Sequence, residues 1–407
     1  MRIIHTSDWH LGQRFLQNDR TEEQERALAA LLEVIQRENA DALIVSGDIF
    51  DIGNPPVPAR RIYYHFLTSL LGTSCRYVVI TGGNHDAPGM LDAPKSLLKH
   101  LNVFVTGAAP RQHADALIEL RSGSGQLEAV VAAVPYLRER DLRASIPGES
   151  GPERLLRIRE AIREYFTKVG ESARAFEKAN VPVICMAHLF AVGAQSSGEQ
   201  NNIYIGDVEN IEAGAFPEIF SYVALGHIHR PQIVGGVERV RYSGSLIPLS
   251  FSETKDVKGV YVLEYSGSAL QNCRFVDFPV FRRLKTIEGT LDEVKQALEA
   301  FDTRHRNNDL RSWIEVIVHA DRIHPGLDDE LRDYCADFKL DLLKVRLQSP
   351  NPSVQRAAAQ ESLKTLEPLE VFRRRLEVGG KLPEQFPELE STFRELLEWM
   401  KENDVEP

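Results

Sequence analysis

Short apolar runs recur through the first part of the chain, and most are followed within a few residues by Gly, Asp, Asn or His. Residues 2–5, 42–46, 77–80, 127–134, 183–187 and 222–225 are such runs, rich in Val, Ile and Leu. Runs of this length bounded by turn formers predict buried strands. Between them the pattern shifts to a helical period. Leu28, Leu31, Leu32 and Ile35 follow Thr21-Glu22-Glu23-Gln24, which predicts a capping box and a helix. Helices are also expected over 60–71, behind the break Asn54-Pro55-Pro56-Val57-Pro58, over 91–101, and over the charged stretch 152–178. Strands alternating with helices predict a layered α/β domain.

Short strands with glycine turns continue to about residue 279, where the character changes. The pattern then predicts strand, helix, strand, helix, strand over 284–288, 291–301, 313–319, 327–338 and 340–347, a small α+β module. Ser349-Pro350-Asn351-Pro352 reads as a linker, and helical stretches follow at 353–377 and 387–401. The expected domains are therefore 1–279, 280–348 and 349–407. The last pair of helices has too little apolar surface for a core of its own, so it either docks on the body or holds a partner. Residues 193–202, rich in Gly, Ser, Gln and Asn, are too polar to pack and long enough to move.

At 407 residues, two or three domains are expected, and 43% hydrophobic with 26% charged residues fits a soluble chain. Met1-Arg2-Ile3-Ile4-His5 runs straight into strand-like sequence, and no stretch approaches a spanning length, so a cytoplasmic location with no membrane contact is expected. Cys75, Cys185, Cys273 and Cys335 lie far apart, which argues against a zinc site or a disulfide framework. A net charge of −11 argues against a protein that grips nucleic acid by its overall field. A nucleic-acid role would rest on local basic patches, bound cations or a partner.

The strand ends carry the candidate chemistry: Asp8 and His10, Asp48, Asn84 and His85, His188, and His227 with His229. In an extended chain, residues two apart point to one side, so Asp-x-His and His-x-His can each converge on one cation. Any one of these residues is more simply a turn or core residue. Their coincidence at strand ends, where α/β sheets hold ligands, favours a site. In Thr81-Gly82-Gly83-Asn84-His85-Asp86 the glycines let the backbone approach a metal or phosphate. Carboxylate, imidazole and amide together suit Mn²⁺, Fe²⁺ or Zn²⁺ better than Mg²⁺. Two cations about 4 Å apart, sharing one carboxylate, suit phosphoryl displacement, and Asp48 is the natural bridge. No Ser-His-Asp nucleophile motif and no Gly-x-x-x-x-Gly-Lys loop is present.

Asp8-x-His10, Gly47-Asp48-x-x-Asp51, Gly83-Asn84-His85-Asp86, His188 and Gly226-His227-x-His229, in this order, resemble the calcineurin-like metallophosphoesterases. His5-Thr6-Ser7-Asp8-Trp9-His10-Leu11-Gly12, Gly47-Asp48-Ile49-Phe50-Asp51, Tyr204-Ile205-Gly206 and Leu225-Gly226-His227-Ile228-His229-Arg230 narrow the resemblance to that family's DNA-processing nuclease subunits. The resemblance implies an α/β fold, a four-layer sandwich with a small α+β capping domain and a C-terminal helical segment. It implies that Asp8, His10, Asp48 and His229 hold one divalent cation and Asp48, Asn84, His188 and His227 the other, Mn²⁺ being usual. His85 would protonate the leaving 3′ oxygen. Asp51 would orient His85, or is a turn aspartate. Asp86 is assigned to its own loop's hydrogen bonds.

The implied activity is ATP-dependent 3′–5′ exonuclease action on double-stranded DNA ends, with endonuclease action on single strands and hairpins, in repair and recombination. The partners implied are DNA, an ATPase subunit gripped by the last helices, and a second copy of the chain within a heterotetramer. A phosphatase or small-nucleotide phosphodiesterase is the alternative. Arg138, Arg140 and Arg143, Arg373-Arg374-Arg375, and Trp9 are weaker candidates for nucleic-acid contact, with a solvated helix start, a charged helix face and loop packing as their plainer readings.

Overall fold

The computed structural model describes residues 1–142, 149–195, 211–322, 324, 326–349, 368–378 and 387–402. Arg143, the polar segment beyond residue 195, Tyr204-Ile205-Gly206 and the linker from Pro350 lie outside the described residues. The chain divides into two compact units, one of Met1–Arg14 with Asp19–Pro279, the other of Phe15–Asn18 with Val280–Pro407.

In the first unit the elements used below are β1 (Arg2–Thr6), α1 (Thr21–Glu38), β2 (Ala42–Ser46), α2 (Val57–Ser69), β3 (Tyr77–Thr81), β4 (Val103–Thr106), β5 (Leu117–Arg121), β6 (Leu127–Ala133), α3 (Gly151–Ala173), β7 (Val183–His188), β8 (Tyr222–Gly226), β9 (Gln232–Val234), β10 (Val237–Tyr242), β11 (Gly259–Ser266) and β12 (Ala269–Asp277). They form two six-stranded sheets, ordered β12-β11-β1-β2-β3-β4 and β9-β10-β8-β7-β6-β5. In the first, β1, β2, β3 and β4 are mutually parallel; in the second, β6, β7, β8 and β10 are. Strands buried on both faces read as continuous apolar runs, which is why these segments carry so little alternation.

One residue in two along these strands points into the space between the sheets. Ile3, Ala42, Ile44 and Val79 meet Ala129, Val131, Ile184, Met186, Tyr222 and Ala224 there in one apolar cluster. The alternate residues of the second sheet, Val130, Ala132, Cys185, Val223 and Leu225, pack with Ile158, Ile162, Phe166 and Val169 of α3. Those of the first, Ile4, Leu43, Val45, Val78 and Ile80, are equally buried, as are Leu28, Leu31 and Ile35 of α1 and Ile62 and Phe66 of α2. Helix, sheet, sheet, helix is the layer order.

Three local expectations are revised. No capping box forms at Thr21: α1 follows Arg20, and Gln24 turns inward, its Nε2 donating to the His10 carbonyl at 3.0 Å while Gly12 N–H donates to its Oε1 at 3.1 Å. The helix expected over 91–101 is two short ones, Pro88–Asp92 and Lys95–Lys99, because Pro94 cannot continue the first. The charged helix ends at Ala173 and tightens into a 3-10 turn, Arg174–Ala179.

The second unit carries β13 (Leu284–Gly289), α4 (Leu291–His305), β14 (Ser312–His319), α5 (Leu327–Tyr334) and β15 (Leu340–Gln348). The three strands are parallel in the order β13-β14-β15, with a crossover helix between each strand and the next. Val294, Leu298 and Leu331 of the helices pack on Ile287, Ile314, Val316 and Leu342. Thr290 and Glu293 cap α4 reciprocally. Two further helices, α6 (Pro368–Val378) and α7 (Pro387–Glu402), are joined by stacked rings of Phe372 and Phe393 at 4.0 Å and a 2.6 Å ion pair of Arg373 with Glu390. Among the described residues no helix is long and apolar enough to cross a membrane.

Candidate metal centre

The carboxyl ends of β1, β2, β3, β7 and β8 open on one edge of the sandwich, and the loops that leave them hold one another in place. Asp8 N–H donates to Gly47 O at 3.0 Å, His10 N–H to Asp48 O at 3.0 Å and Leu11 N–H to Ile49 O at 2.9 Å, so loops 8–11 and 47–50 pair like strands. Close approach requires glycine at two places: a Cβ at Gly226 would run into the Ser46 carbonyl of the other sheet, and one at Gly83 into the Asp48 carboxylate of the neighbouring loop. Asp8, His10, Asp48 and His227 take positive φ values of 52°, 45°, 49° and 102°. Left-handed backbone at such residues costs roughly 1–3 kcal/mol each and persists where its surroundings over-determine it.

The imidazoles and carboxylates converge. Asp8, His10 and His229 offer ligand atoms within 4.8 Å of one another, and so do Asp8, Asp48 and His188. Asp48 sits between the groups: its Oδ2 is 3.4 Å from His10 Nε2 and 3.2 Å from His188 Nε2, and its Oδ1 accepts the His85 N–H at 3.0 Å. Asn84 Oδ1 lies 3.0 Å from His188 Nε2 and 3.1 Å from His227 Nδ1. The outward nitrogens are fixed. His10 Nδ1 donates to Asp51 Oδ1 at 3.0 Å, His188 Nδ1 to Ser46 O at 2.9 Å and His229 Nδ1 to Glu253 Oε1 at 3.1 Å. Each of these rings therefore turns Nε2 inward, the tautomer that ligates a metal. His10 Nε2 is buried with no hydrogen-bond partner among the described residues, an atom in want of a cation.

Electrostatics agrees with that want. Burial would lower the His10 imidazole, yet its bond to Asp51 and the charges of Asp48, Asp51 and Asp8 raise it to about 9. Burial likewise opposes the charge on His188, which Asp48 and Asp8 raise to about 9. Burial would raise Asp48, but the imidazoles of His188, His85 and His10 hold it well below the carboxylate range. Burial and the neighbouring imidazoles push His227 well down. Without a cation, protons on His10 and His188 offset the carboxylates; a divalent ion offers the same charge to neutral rings. The donor set fits two divalent cations.

The family profile of the calcineurin-like phosphoesterases matches residues 1–231, and that of the type 5 capsule protein repressor C-terminal domain matches residues 280–378. The chain is 35% identical over 378 residues to SbcD, the SbcCD nuclease component of Escherichia coli K12, covering 92% of each chain. It is 34% identical to SbcD of Rhodobacter capsulatus, over 91% of this chain and 93% of that one. With SbcD of Bacillus subtilis it shares 30% over 80% of this chain and 84% of the other. The chain belongs to the calcineurin-like phosphoesterases, in the SbcD branch. It is a hydrolytic nuclease with that family's α/β sandwich.

Within this SbcD-type site, Asp51 serves two rings by two groups. Its carboxylate meets His10, and its backbone carbonyl accepts from His85 Nδ1 at 2.8 Å. The backbone carbonyl adds a bond to His85 beside the Asp51 carboxylate, which offers a ligand atom within 4.8 Å of those of His10 and His85. His85 is half-buried, with its ring 4.9 Å from that of His10. Asp86 reaches beyond its own loop: its carboxylate accepts N–H groups of Gly83 at 2.8 Å, Ile49 at 3.1 Å and Phe50 at 3.0 Å. Burial and the Asp48 charge nonetheless push its carboxyl up to about 6.

The weaker candidates divide. Trp9 is buried, its Nε1 donating to Thr6 Oγ1 at 3.1 Å and its ring edge-on to Phe66, so it packs beneath the loop. Arg138 donates to the Asp86 carbonyl at 2.8 Å, behind His85, and Arg140 lies in a short exposed helix, Glu139–Leu142. Arg373 pairs with Glu390, Arg375 is exposed, and the Arg374 side chain lies outside the described residues. Sequence patterns gave no warning of Glu253 and Lys258, both buried against His229, because a polar turn ahead of a strand looks the same whether it is solvated or folded inward.

Proposed function

We propose that this chain is the nuclease subunit of an SbcCD-type complex and hydrolyses DNA phosphodiesters with two divalent cations, most readily Mn²⁺. The observation that carries the reading is the position of Asp48, whose carboxylate faces His10, His188 and the His85 N–H at once. Asp8, His10, Asp48 and His229 would hold one cation; Asp48, Asn84, His188 and His227 the other. Bound there, the cations supply Lewis acidity toward the phosphodiester and a lowered pKa for the attacking water. His85 is held by Asp51 O at Nδ1 and by Asp48 at its N–H, so any proton it gives to a leaving 3′ oxygen departs from Nε2. The Nδ1 contact keeps that ring in one orientation through protonation and release.

SbcC ATPase is the proposed partner, with α6 and α7 as its docking segment, residues 280–348 as a DNA-guiding module and a homodimer at the centre of a heterotetramer. The names of the relatives, which place them in SbcCD, support this pairing. A partner with its own DNA surface accounts for an acidic chain of net charge −11. A cytoplasmic location follows from the same reading.

The test is digestion of linear duplex, hairpin and single-stranded DNA with Mn²⁺, with and without SbcC and ATP. Exonuclease action on the duplex that needs SbcC and ATP is expected. Rapid hydrolysis of small phosphoesters with no cleavage of any DNA would overturn the reading in favour of a phosphatase.

A further inference from the structure

The turn between Leu249 and Gly259 buries two opposite charges to which the two-cation reading gives no task. Glu253 is 1% exposed and Lys258 6%. Taking an ion out of water costs several kcal/mol unless its partners compensate. Those partners centre on one residue. Glu253 Oε1 accepts from His229 Nδ1 at 3.1 Å, and Lys258 Nζ donates to the His229 carbonyl at 2.7 Å. Lys258 Nζ also donates to Glu253 Oε2 at 2.6 Å and Ser245 Oγ at 2.9 Å, and Leu249 N–H donates to Glu253 Oε2 at 3.1 Å. The same turn grips the next residue, Arg230 Nε donating to Asp256 Oδ1 at 2.8 Å. His229 is clamped at its ring and at its backbone together.

The backing of the other rings differs in kind. His10 also leans on a carboxylate, Asp51, whereas His188 leans on the neutral Ser46 carbonyl. A carboxylate behind an imidazole makes the opposite nitrogen a stronger donor and fixes its direction, and losing such a partner weakens metal binding about 10–100-fold. His10 and His229, each with a carboxylate behind it, share one cluster with Asp8, whereas His188 falls with Asp8 and Asp48.

We propose that Glu253, braced by Lys258, positions His229 and strengthens it as a ligand, so that the cation held by Asp8, His10, Asp48 and His229 is the tighter of the two. The inference rests on the two-cation reading above. Glu253 is a positioning residue, acting through His229.

Full-length wild type, Glu253→Gln and the double variant Glu253→Gln/Lys258→Met are titrated with Mn²⁺ by calorimetry, and electron paramagnetic resonance spectra are taken at two equivalents. The double variant removes both buried charges, so an orphaned Lys258 does not unfold it. Wild type should show a tight and a weak class and an exchange-coupled Mn²⁺ pair. Both variants should keep the weak class, lose about 10–100-fold in the tight one, and give an isolated-ion spectrum at matched loading. A wild-type tight class in the folded double variant overturns the inference, as does an equal loss in both classes. Wild type that bound no Mn²⁺ would overturn the two-cation reading itself, and this inference with it.

Discussion

Asp86 offers the sharpest test of how the cation loops are held. Its Oδ2 takes the N–H groups of Ile49 and Gly83 and its Oδ1 that of Phe50, so one side chain joins the loop that carries Asp48 to the loop that carries Asn84. Asp86→Ala leaves three buried donors without an acceptor. At about 1–3 kcal/mol for each orphaned group, offset in part by water entering the vacated space, the loss is about 3–6 kcal/mol. Asp86→Asn keeps the shape. If the amide oxygen takes the Oδ2 position, two bonds survive and the amide nitrogen opposes only the Phe50 N–H, for about 1–3 kcal/mol. Urea unfolding of both variants, followed through the first unit at matched slope, reads the two losses. Calorimetric Mn²⁺ titration should show weaker binding in the same order, because Asp48 and Asn84 lose their mutual register. Equal losses for Asn and Ala, or Mn²⁺ affinities unchanged in a destabilised Asp86→Ala, would refute the picture of one carboxylate aligning two loops.

His85→Ala should bind Mn²⁺ as wild type does and lower kcat about 10²–10⁴-fold, whereas Asn84→Ala should weaken one cation class in calorimetry. His5 is fully buried between the sheets, sharing a 3.0 Å hydrogen bond with Tyr222 Oη, and burial depresses its imidazole to about 3. A depressed folded pKa gives stability that is complete above about pH 6.5 and is lost as pH falls toward 3, so the gap between wild type and His5→Phe in urea should move by about 1.4 kcal/mol per pH unit from pH 6 to 4 and stay flat above pH 7. Gly226→Ala would set a Cβ against the Ser46 carbonyl, and it should cost at least about 1–3 kcal/mol and weaken Mn²⁺ binding by spreading the sheet ends.

What the chain discloses in advance depends on whether the information is local. Strands such as Ala42–Ser46 and Tyr222–Gly226 are legible because burial on both faces leaves an unbroken apolar run, and the Asp, Asn and His residues at their ends stand out against it. Edge strands such as Leu117–Arg121 are not, being half-exposed and mixed in composition. Gln24 looks like a capping residue until the His10 carbonyl, fourteen positions earlier, competes for it. Asp51 was expected to act through its side chain on His85, and the backbone carbonyl that also reaches that ring is set by a turn no spacing rule describes. Glu253 lies twenty-four positions from His229, and no spacing rule joins them.

The residues that spacing could not find have one physical role in common. Asp8, His10, Asp48 and His227 hold left-handed backbone that each would abandon in isolation, at roughly 1–3 kcal/mol apiece. Something must hold them there, and the partners are specific. Gln24 takes the His10 carbonyl, the strand-like pairing of loops 8–11 and 47–50 fixes Asp8 and Asp48, and Asp8 Oδ1 accepts the His227 N–H at 2.9 Å. Asp86 and Glu253 extend the same support to the loops behind. A cluster of carboxylates and imidazoles brought together at random would relax by turning its side chains outward. Here the backbone strain and its supports are spent in advance, so that a cation meets ligands already aimed, and little further ordering is left to oppose its binding.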